Sequence, residues 1–302
     1  MKEPLVSICC ITYNQEQYVR ECLEGFVMQK TNFPFEIVIS DDCSKDGTRA
    51  VISDYKARYP KLFRDISPEK NMGSMANFLY VQAQAKGKYI ALCEGDDYWI
   101  DPYKLQKQVD FMDAHPDYSM CLTNSHIKSV GQEERLAVRT CLDTYMIEDV
   151  IGCNALNVEQ RGNNVVSFGH TSTILYRNPN DEIPDWISKC FIGDEPLLIW
   201  LAHFGPAKFI NEVMSVYRVG VGMSSKNFSV EKDCKNRIAM YEIIDKGLGG
   251  KYHHLIKPVI AEFELRLFKL YGKSNRRMEA LLEILKSIQT DSHIVAQWIK
   301  RK

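Results

Sequence analysis

The sequence predicts an α/β protein in which a mostly parallel sheet is flanked by helices and followed by a helical C-terminal region. From residue 6 to about residue 120, short apolar runs alternate with amphipathic segments, which is the pattern of βαβ units. Polar loops rich in Asp, Asn and Gly follow these apolar runs. From about residue 229 onward, the apolar residues recur at helical spacing alone.

The first part of the chain contains four predicted strands with a helix after each. The strands are predicted at residues 5–12, 35–40, 62–66 and 89–92. We expect Asn14 to cap the helix after the first strand, with Gln17 as its capping-box partner. Ile52 and Phe78 mark the apolar faces of the next two helices, and Pro102 suits the first turn of the fourth.

The second part of the chain is less regular. Strands are predicted at residues 118–124, 172–176 and 213–217, with a helix near residues 196–203. Residues 131–165 lack a clear period and contain several polar and glycine positions. We therefore expect a mobile, substrate-facing insertion there.

The C-terminal region is basic, since residues 251–302 contain eleven Lys or Arg and five Asp or Glu. Within it, an apolar stripe at helical spacing is formed by Leu281, Leu282, Leu285 and Ile288. A basic amphipathic helix can lie on an anionic membrane surface. It can equally pack on the rest of the protein and leave its basic side in solvent, and the sequence leaves both alternatives open.

The composition argues against several classes of protein. The 302 residues are 45% hydrophobic and 25% charged with a net charge of -1, which disfavours a general nucleic-acid binder. No apolar run approaches the roughly 18 residues of a membrane span and no signal peptide is recognisable, so we expect a cytoplasmic protein. The ten cysteines include no Cys-x-x-Cys pair, which favours buried reduced thiols over disulfides or zinc ligands.

The most informative motif is Glu94-Gly95-Asp96-Asp97, which directly follows the last apolar residues of a predicted strand. Ligands of open α/β sheets bind beyond the carboxyl ends of the strands. Mg²⁺ and Mn²⁺ prefer carboxylate oxygens and complete their coordination with water and substrate phosphates. The motif therefore predicts a metal-assisted reaction on a phosphate-bearing substrate, with a solvated acidic turn as the alternative.

Further polar residues follow other predicted strands at the same edge of the sheet. A planar ring such as that of Tyr13 can stack on a nucleobase, and Asp41 or Asp42 can accept hydrogen bonds from a uracil N–H or a ribose hydroxyl. Alternatively, Tyr13 is a core aromatic and the two acids only form a turn. The residues at this edge are Thr12, Tyr13, Asn14, Glu16, Asp41, Asp42, Asn71 and Gly73.

Together these motifs resemble the inverting family 2 glycosyltransferases, which have the nucleotide-diphospho-sugar-binding GT-A fold. The resemblance covers roughly residues 4–225 and rests on residues 6–14, 39–48 and 94–99, followed by Lys104-Leu105. It implies a Rossmann-like sheet. It also assigns the nucleotide to the residues at the strand ends, namely Thr12, Tyr13, Asn14, Asp41 and Asp42, with Asn71 and Gly73 in a more weakly matching loop.

The resemblance also implies a metal cofactor, Mn²⁺ or Mg²⁺. The family's metal motif is Asp-x-Asp, whereas the first position here is Glu94. Because glutamate is one methylene longer than aspartate, its contact with ribose or its water-mediated coordination would shift. The resemblance makes Asp96 the direct ligand and Asp97 its support, and it leaves Glu94 beside the nucleotide.

The base that activates the acceptor is expected in the pair Asp194-Glu195, which resembles an acidic motif of the family in the reverse order. We favour Asp194 because Pro196 begins a helix directly after the pair, and Glu195 stays the alternative. The two acids could also only complement a helix N-terminus. Residues 217–225 resemble the family's flexible loop over the diphosphate, where Arg218 would pair with phosphate oxygens, although a surface hairpin is a competing explanation.

The expected function is the metal-dependent, inverting transfer of a sugar from a nucleotide-diphosphate donor, most simply a UDP-sugar. The expected acceptor is a hydroxyl of a saccharide or a lipid-linked saccharide. The resemblance implies a role in bacterial surface polysaccharide biosynthesis, such as that of capsule, lipopolysaccharide or exopolysaccharide. The alternatives are a catalytically degenerate nucleotide-sugar-binding subunit and a nucleotidyltransferase.

The expected organisation has two parts. Residues 1–225 would form the glycosyltransferase domain, with a nucleotide-binding half at 1–120 and an acceptor-binding half at 121–225. Residues 226–302 would form the helical region, whose basic helices could attach a cytoplasmic enzyme peripherally to the inner face of the cell membrane.

Overall fold

The computed structural model describes residues 3–129, 131–137, 142–156, 169–179, 183–221 and 229–300. Strands in this part of the chain form one sheet. They are β1 (Val6–Thr12), β2 (Phe35–Asp41), β3 (Phe63–Asp65), β4 (Tyr89–Leu92), β5 (Tyr98–Trp99), β6 (Met120–Ser129), β7 (Arg135–Leu136), β8 (Thr144–Tyr145), β9 (Ile174–Arg177) and β10 (Ala207–Val219).

The described helices follow the predicted order, with the addition of a helix at Ile147–Leu156, where no regular element was predicted. They are α1 (Val19–Val27), α2 (Thr48–Arg58), α3 (Ser74–Ala83), α4 (Lys104–Ala114), α5 (Ile147–Leu156), α6 (Asp194–Ala202), α7 (Val230–Gly247), α8 (His253–Lys273) and α9 (Arg277–Lys300). Two short 3-10 helices lie at Thr171–Thr173 and Asp185–Lys189.

The strand order in the sheet is β3-β2-β1-β4-β9-β6-β10-β5, with β7 paired to β6 and β8 paired to β10. Strands β3, β2, β1 and β4 pair in parallel with one another, and β6 is parallel to β10. Strand β9 runs antiparallel to both β4 and β6 and joins the two parallel groups. The predicted α/β class, a mostly parallel sheet flanked by helices and followed by C-terminal helices, is confirmed.

Hydrophobic side chains fill both faces of the sheet. Ile8 and Cys10 of β1 pack with α1, α2 and α4 on one face, whereas Cys9 packs with α3, α5 and α6 on the other. Burial on both faces explains why the strands are almost continuously apolar in sequence. The second face also contacts α7 and α8, so the C-terminal helices share a core with the sheet. The predicted domain boundary at residue 225 stays a prediction.

The prediction that Asn14 caps the first helix is wrong. Helix α1 begins at Val19 with Tyr18 at its N-cap position, and no side chain caps it. Asn14 instead adopts a left-handed conformation with φ of 52°, and its Oδ1 accepts a hydrogen bond from the backbone N–H of Lys45 at 2.8 Å. Asparagine tolerates this conformation and bonds nearby backbone readily, so it serves a turn as well as a cap.

Three smaller differences concern element boundaries. Pro102 precedes α4, which begins at Lys104, and the strand predicted at residues 213–217 is part of the longer β10. Residues 131–165 include α5, whose Val150 and Ile151 are buried on the face of the sheet that also carries α3 and α6. Of that range, residues 138–141 and 157–165 lie outside the described residues. The mobility expected of the insertion stays a prediction.

No helix in the described ranges is both long enough and apolar enough to cross a membrane. The cysteines whose side chains the structure describes are free thiols, and all but one of them are buried. They are Cys9, Cys10, Cys22, Cys43, Cys93, Cys121, Cys190 and Cys234, of which Cys43 is the half-buried one.

Candidate functional site

The polar loops predicted from the sequence meet at one edge of the sheet. Thr12 at the end of β1 pairs in parallel register with Asp41 at the end of β2. On its other side, β1 pairs with β4, so Cys9 lies beside Leu92. Two residues after Leu92 the acidic loop (residues 94–97) begins. The carboxyl ends of three neighbouring strands therefore present their loops together, where ligands of open α/β sheets bind.

A glycine brings the acidic loop against the end of β1. The backbone N–H of Gly95 donates to the carbonyl of Ile11 at 3.0 Å. A Cβ at this position would lie 2.6 Å from Gln15 Oε1 and 2.8 Å from Thr12 Cβ, so a larger residue would separate the two loops. Within the described residues, Thr12 Oγ1 and Gln15 Oε1 are buried without a hydrogen-bond partner. Two unused oxygens thus lie beside the acidic loop.

The loops after β1 and β2 are joined by hydrogen bonds between backbone and side chains. The N–H of Asn14 donates to Ser44 Oγ at 2.8 Å. The N–H of Glu16 donates to Asp46 Oδ2 at 3.1 Å, and Glu16 Oε2 accepts from the N–H of Gly47 at 2.9 Å. Asn14 and Glu16 are exposed and Tyr13 is half-buried. The nucleotide-binding roles of these residues stay predictions.

Asp41 is fully buried and its carboxylate has partners within its own turn. Oδ2 accepts from the backbone N–H of Ser44 at 3.1 Å, and Oδ1 accepts from the hydroxyl of the same residue. Arg49 Nε lies 3.8 Å from Oδ2. Asp41 therefore shapes the β2 loop.

Asp42 joins the third polar loop to the other two. Its Oδ1 accepts from the backbone N–H of Met72 at 2.6 Å, and its Oδ2 accepts from that of Gly73 at 2.9 Å. Asn71 Nδ2 donates to the Asp42 carbonyl at 2.7 Å. The structure therefore brings Asn71 and Gly73 to Asp42, as the sequence predicts, but through contacts within the protein.

The carboxylates of the acidic loop are crowded and desolvated. Burial, followed by the charges of Asp96 and Asp194, raises the pKa of Glu94 to about 8. Burial also raises the pKa of Asp96, and burial together with the charge of Asp96 raises that of Asp97 well above its usual range. Negative charges so placed disfavour one another, and a bound cation would relieve the repulsion.

Asp97 and Arg218 hold the acidic loop in place. Asp97 Oδ1 accepts from the backbone N–H of Arg218 at 2.9 Å, and Arg218 Nη1 donates to the Asp96 carbonyl at 2.5 Å. The guanidinium also pairs with Glu21 through Nη2. It lies 4.4 Å from the ring centroid of Tyr98, which packs against it as a cation–π partner. The interpretation of Arg218 as a phosphate ligand stays a prediction, and residues 222–225 of its loop lie outside the described residues.

The acidic pair at the start of α6 approaches the acidic loop from a second direction. The charge of Asp194 contributes to the raised pKa values of both Glu94 and Tyr217. Gly193 lets the start of α6 pack closely against α3, because a Cβ there would lie 2.5 Å from Phe78 Cδ1 of α3. Asp194 is half-buried, and its Oδ1 accepts only within its own turn among the described hydrogen bonds, from the N–H of Glu195 at 2.9 Å.

Glu195 points instead into the C-terminal helices. Its Oε2 pairs with Arg237 Nη1 of α7 at 2.7 Å, and its Oε1 accepts from the hydroxyl of Tyr241 at 2.5 Å. Glu195 is 7% exposed, and Tyr241 is fully buried. The sequence analysis did not identify Arg237 or Tyr241, because no local pattern links residues that lie 42 and 46 positions apart.

An aromatic pair lines the same region. The rings of His170 and Tyr217 stack with centroids 4.1 Å apart, and His170 Nδ1 lies 2.8 Å from Ser125 Oγ. Burial, together with the neighbouring carboxylates, raises the pKa of Tyr217. Tyr217 lies at the start of the loop predicted at residues 217–225, and nothing in its spacing in the sequence indicates that it faces the acids.

The residues present suit a divalent cation that arrives together with a phosphate. Among the described residues, no three Asp, Glu, His or Cys side chains converge on a preformed metal site. Magnesium-type ions, however, commonly use one or two carboxylates and take their remaining ligands from water and substrate phosphates. Glu94, Asp96 and the buried oxygens of Thr12 and Gln15 supply hard donors of this kind.

Comparison with protein families gives one match that spans more than half of the chain. Residues 7–183 match the model of glycosyl transferase family 2. This range contains the ends of β1, β2 and β4 and the acidic loop, and it stops before α6.

Curated relatives match over part of the chain's length. An uncharacterized protein of Mycobacterium tuberculosis is 54% identical over 116 residues, which are 38% of this chain and 34% of that protein. TuaG of Bacillus subtilis, named as a candidate teichuronic acid biosynthesis glycosyltransferase, is 32% identical over 110 residues, which are 36% of this chain and 42% of TuaG. The chain thus spans well under half the length of these relatives.

Solved structures resemble the chain over nearly its whole length. Residues 1–349 of S. aureus TarS, crystallised with UDP-GlcNAc, give a TM-score of 0.64 at 20% identity and cover 96% of this chain and 83% of that one. The mannosyltransferase PcManGT of Pyrobaculum calidifontis, in complex with GDP-Man and Mn²⁺, gives 0.54 at 13% identity and covers 99% and 87%. At these identities the likeness establishes the fold.

Proposed function

We propose a specific reaction for this chain, which belongs to glycosyl transferase family 2: the metal-dependent, inverting transfer of a sugar from a nucleoside-diphosphate donor to an acceptor hydroxyl. The observation that carries this proposal is the meeting of two acidic elements. The acidic loop follows β4, and Asp194 begins α6 close enough for its charge to raise the pKa of Glu94. A donor diphosphate and an acceptor would be held between these two elements.

The donor would bind along the ends of β1, β2 and β4. Tyr13 is half-buried at this edge and would stack on the base, and the loops carrying Asp41 and Asp42 are already fixed by internal hydrogen bonds. We favour a UDP-sugar. Its support is the likeness to TarS, which was crystallised with UDP-GlcNAc and resembles this chain more closely than the GDP-Man complex does.

The proposed cation is Mn²⁺ or Mg²⁺, with Asp96 as its ligand from this chain and Glu94 beside the ribose. When bound, it would neutralise the diphosphate and stabilise the leaving nucleoside diphosphate. In this proposal Asp97 does not bind the ion directly, because its carboxylate accepts from Arg218 and thereby supports the loop.

Asp194 is the proposed general base. The acceptor hydroxyl gives its proton to Asp194 while its oxygen attacks the anomeric carbon from the face opposite the diphosphate. The bond between that carbon and the diphosphate oxygen breaks, and the nucleoside diphosphate leaves. Glu195 is a poorer candidate, because Arg237 and Tyr241 engage both of its oxygens.

The proposed acceptor is a saccharide or lipid-linked saccharide of a bacterial surface polysaccharide. The support is the name of TuaG, which refers to teichuronic acid biosynthesis. An acceptor of this kind agrees with a cytoplasmic enzyme that attaches peripherally to the inner face of the cell membrane.

Product analysis tests the proposal. The protein would be screened for thermal stabilisation by a panel of nucleotide sugars with Mn²⁺, and the stabilising donor would then be assayed for the nucleotide released. We expect nucleoside diphosphate. Release of nucleoside monophosphate or pyrophosphate would instead indicate nucleotidyl transfer or diphosphate hydrolysis. Stabilisation without any turnover by the wild type, over a broad panel of acceptors, would indicate a binding subunit.

A further inference from the structure

Helix α9 presents its apolar stripe to solvent. Its side chains are between 44% and 71% exposed, and we name them the leucine ridge: Met278, Leu281, Leu282, Leu285 and Ile288. Their spacing of three and four residues puts them on one side of the helix. A contiguous exposed apolar patch of this kind marks a contact surface more often than isolated surface residues do.

The opposite side of α9 makes the contacts with the protein. Ala280, Glu283 and Ser287 are buried there, and Ser287 Oγ donates to the Ala261 carbonyl of α8 at 2.8 Å. This part of α9 therefore packs mainly through small and polar residues, with Ile284 half-buried, while the leucine ridge faces outward. The alternative in which the C-terminal helix packs on the rest of the protein is therefore confirmed for α9, but the apolar stripe itself faces solvent.

The orientation reverses beyond a kink. Asp291 has non-helical angles of φ -154° and ψ 99°, and its Oδ1 accepts from the N–H of His293 at 2.9 Å. After this point Val295 is 5% exposed, and the ring of Trp298 packs edge-on against Phe268 of α8. After the kink, α9 thus buries Val295 and packs Trp298 on α8 while Ile299 stays 61% exposed, whereas the contiguous exposed stripe lies before the kink.

Cations border the leucine ridge on both sides. Arg277 lies at one border and Lys286 at the other, and Lys273 lies just before the helix. The carboxylates of this segment are paired: Glu279 with Arg276, and the buried Glu283 with Lys286 at 2.8 Å. Long basic side chains at such borders can extend toward lipid phosphates while the apolar residues enter the acyl region.

We propose that the leucine ridge is a docking surface for an anionic membrane, on which α9 lies in the plane of the lipid headgroups. This deepens the proposed function, whose lipid-linked acceptor would be presented at the same surface. A second copy of the chain fits less well. Two such ridges packed face to face would bring their cationic borders together, and the carboxylates of the segment are already paired within their own chain.

Vesicle binding tests this proposal without donor, acceptor or catalysis. The full-length chain is sedimented with phosphatidylcholine vesicles and with vesicles that contain phosphatidylglycerol, at low and at high salt. We expect binding to the anionic vesicles, at least about tenfold weaker binding to the neutral ones, and weakening by salt. The double substitution Leu281→Ser and Leu285→Ser should reduce anionic-vesicle binding at least about tenfold, and Arg277→Glu should reduce it more than it reduces binding to neutral vesicles.

The matched control is Phe204→Ser, which removes a large side chain of 54% exposure from the end of α6. This control should bind vesicles as the wild type does, and thermal melts should show all variants folded. Equal vesicle binding by the wild type and the ridge double variant would overturn the proposal. So would a wild type that ignores vesicles but forms a dimer which the double variant loses. Nucleoside diphosphate release with a soluble acceptor, measured on the same variants, reports on the proposed function separately.

Discussion

The acids at the ends of β2 and β4 occupy similar positions but are treated differently by the protein. Both oxygens of Asp42 accept backbone N–H groups, from Met72 and Gly73. Glu94 instead has its pKa raised to about 8 by desolvation and by neighbouring acids. A carboxylate satisfied by backbone N–H groups shapes a loop, whereas crowded carboxylates in a desolvated site favour a cation. We infer that the β2 end is prebuilt for the donor and that the β4 end is completed when the metal and the diphosphate bind.

The adjacent acids of α6 also differ: Asp194 lies near the acidic loop, whereas Glu195 is bonded to α7. Substitution of Asp194 should have the largest effect on activity. Asp194→Asn preserves shape but cannot accept the acceptor's proton, so we expect the turnover rate to fall by about 10²–10⁴-fold. Donor affinity, measured by calorimetry with Mn²⁺, should stay within about twofold of the wild-type value, because only the base is altered. Glu195→Gln, assayed below its own melting temperature, is the matched control. Wild-type turnover by Asp194→Asn, or an equal loss in folded Glu195→Gln, would remove the base assignment.

Substitution of Arg237 tests whether Glu195 is held in place by its ion pair with α7. Arg237→Met would leave Glu195 buried without its cation, so we expect the free energy of unfolding in urea to fall by about 3 kcal/mol or more. The control is Lys235→Met on the same helix, whose side chain is 54% exposed where it pairs with Glu231. That exposed pair, screened by solvent, should contribute far less, so Lys235→Met should lower the free energy of unfolding much less than Arg237→Met does. Equal losses in the two variants would mean that Glu195 is not held by α7 in the way its contacts indicate.

The comparison of the two strand ends is tested directly by one substitution at each. Asp96→Asn should weaken the Mn²⁺-dependent part of donor binding at least about tenfold, because the proposed ligand loses its charge. Asp42→Asn should weaken donor binding with and without Mn²⁺ by the same factor, because it disturbs a loop. Calorimetric titration with the donor, in Mn²⁺ and in a chelator, separates the two. The reverse pattern would show that the metal lies at the β2 end.

The smallest effect concerns pH. With a pKa of about 8 in the folded protein against 4.5 as its ordinary value, Glu94 keeps a proton that the unfolded chain releases. Stability of the metal-free protein should therefore fall as the pH rises through this window. Glu94→Gln should make the decrease in melting temperature between pH 5 and pH 8 smaller by a few degrees, roughly. An identical decrease in wild type and variant, both measured in a chelator, would contradict the raised pKa.

The fold and one edge of the site were predictable because they follow from local patterns. Parallel strands end at a common edge, so the meeting of Thr12, Asp41 and the acidic loop could be inferred from the order of strands and loops. Contacts between distant residues could not. Glu195 and Arg237 are 42 positions apart, and nothing local to either residue indicates their pairing.

Helical periodicity has a related limit. It identifies an apolar stripe on α9, but the direction that the stripe faces depends on the packing of the opposite side. Here that side is formed by Ala280, Glu283 and Ser287, and the leucine ridge faces solvent. The misassigned Asn14 has the same origin: a residue that suits both a cap and a turn is decided by its partner, Lys45, in the next loop.

The central claim is that the acidic loop and Asp194 enclose one site for a cation and an activated sugar. Anomalous diffraction from crystals soaked with Mn²⁺ and uridine diphosphate tests it most directly. We predict a single manganese peak that joins the Asp96 carboxylate to the diphosphate, with the uracil at Tyr13 and Asp194 facing the open side of the diphosphate. A peak away from Asp96, or a nucleotide bound elsewhere than at the ends of β1, β2 and β4, would contradict the account.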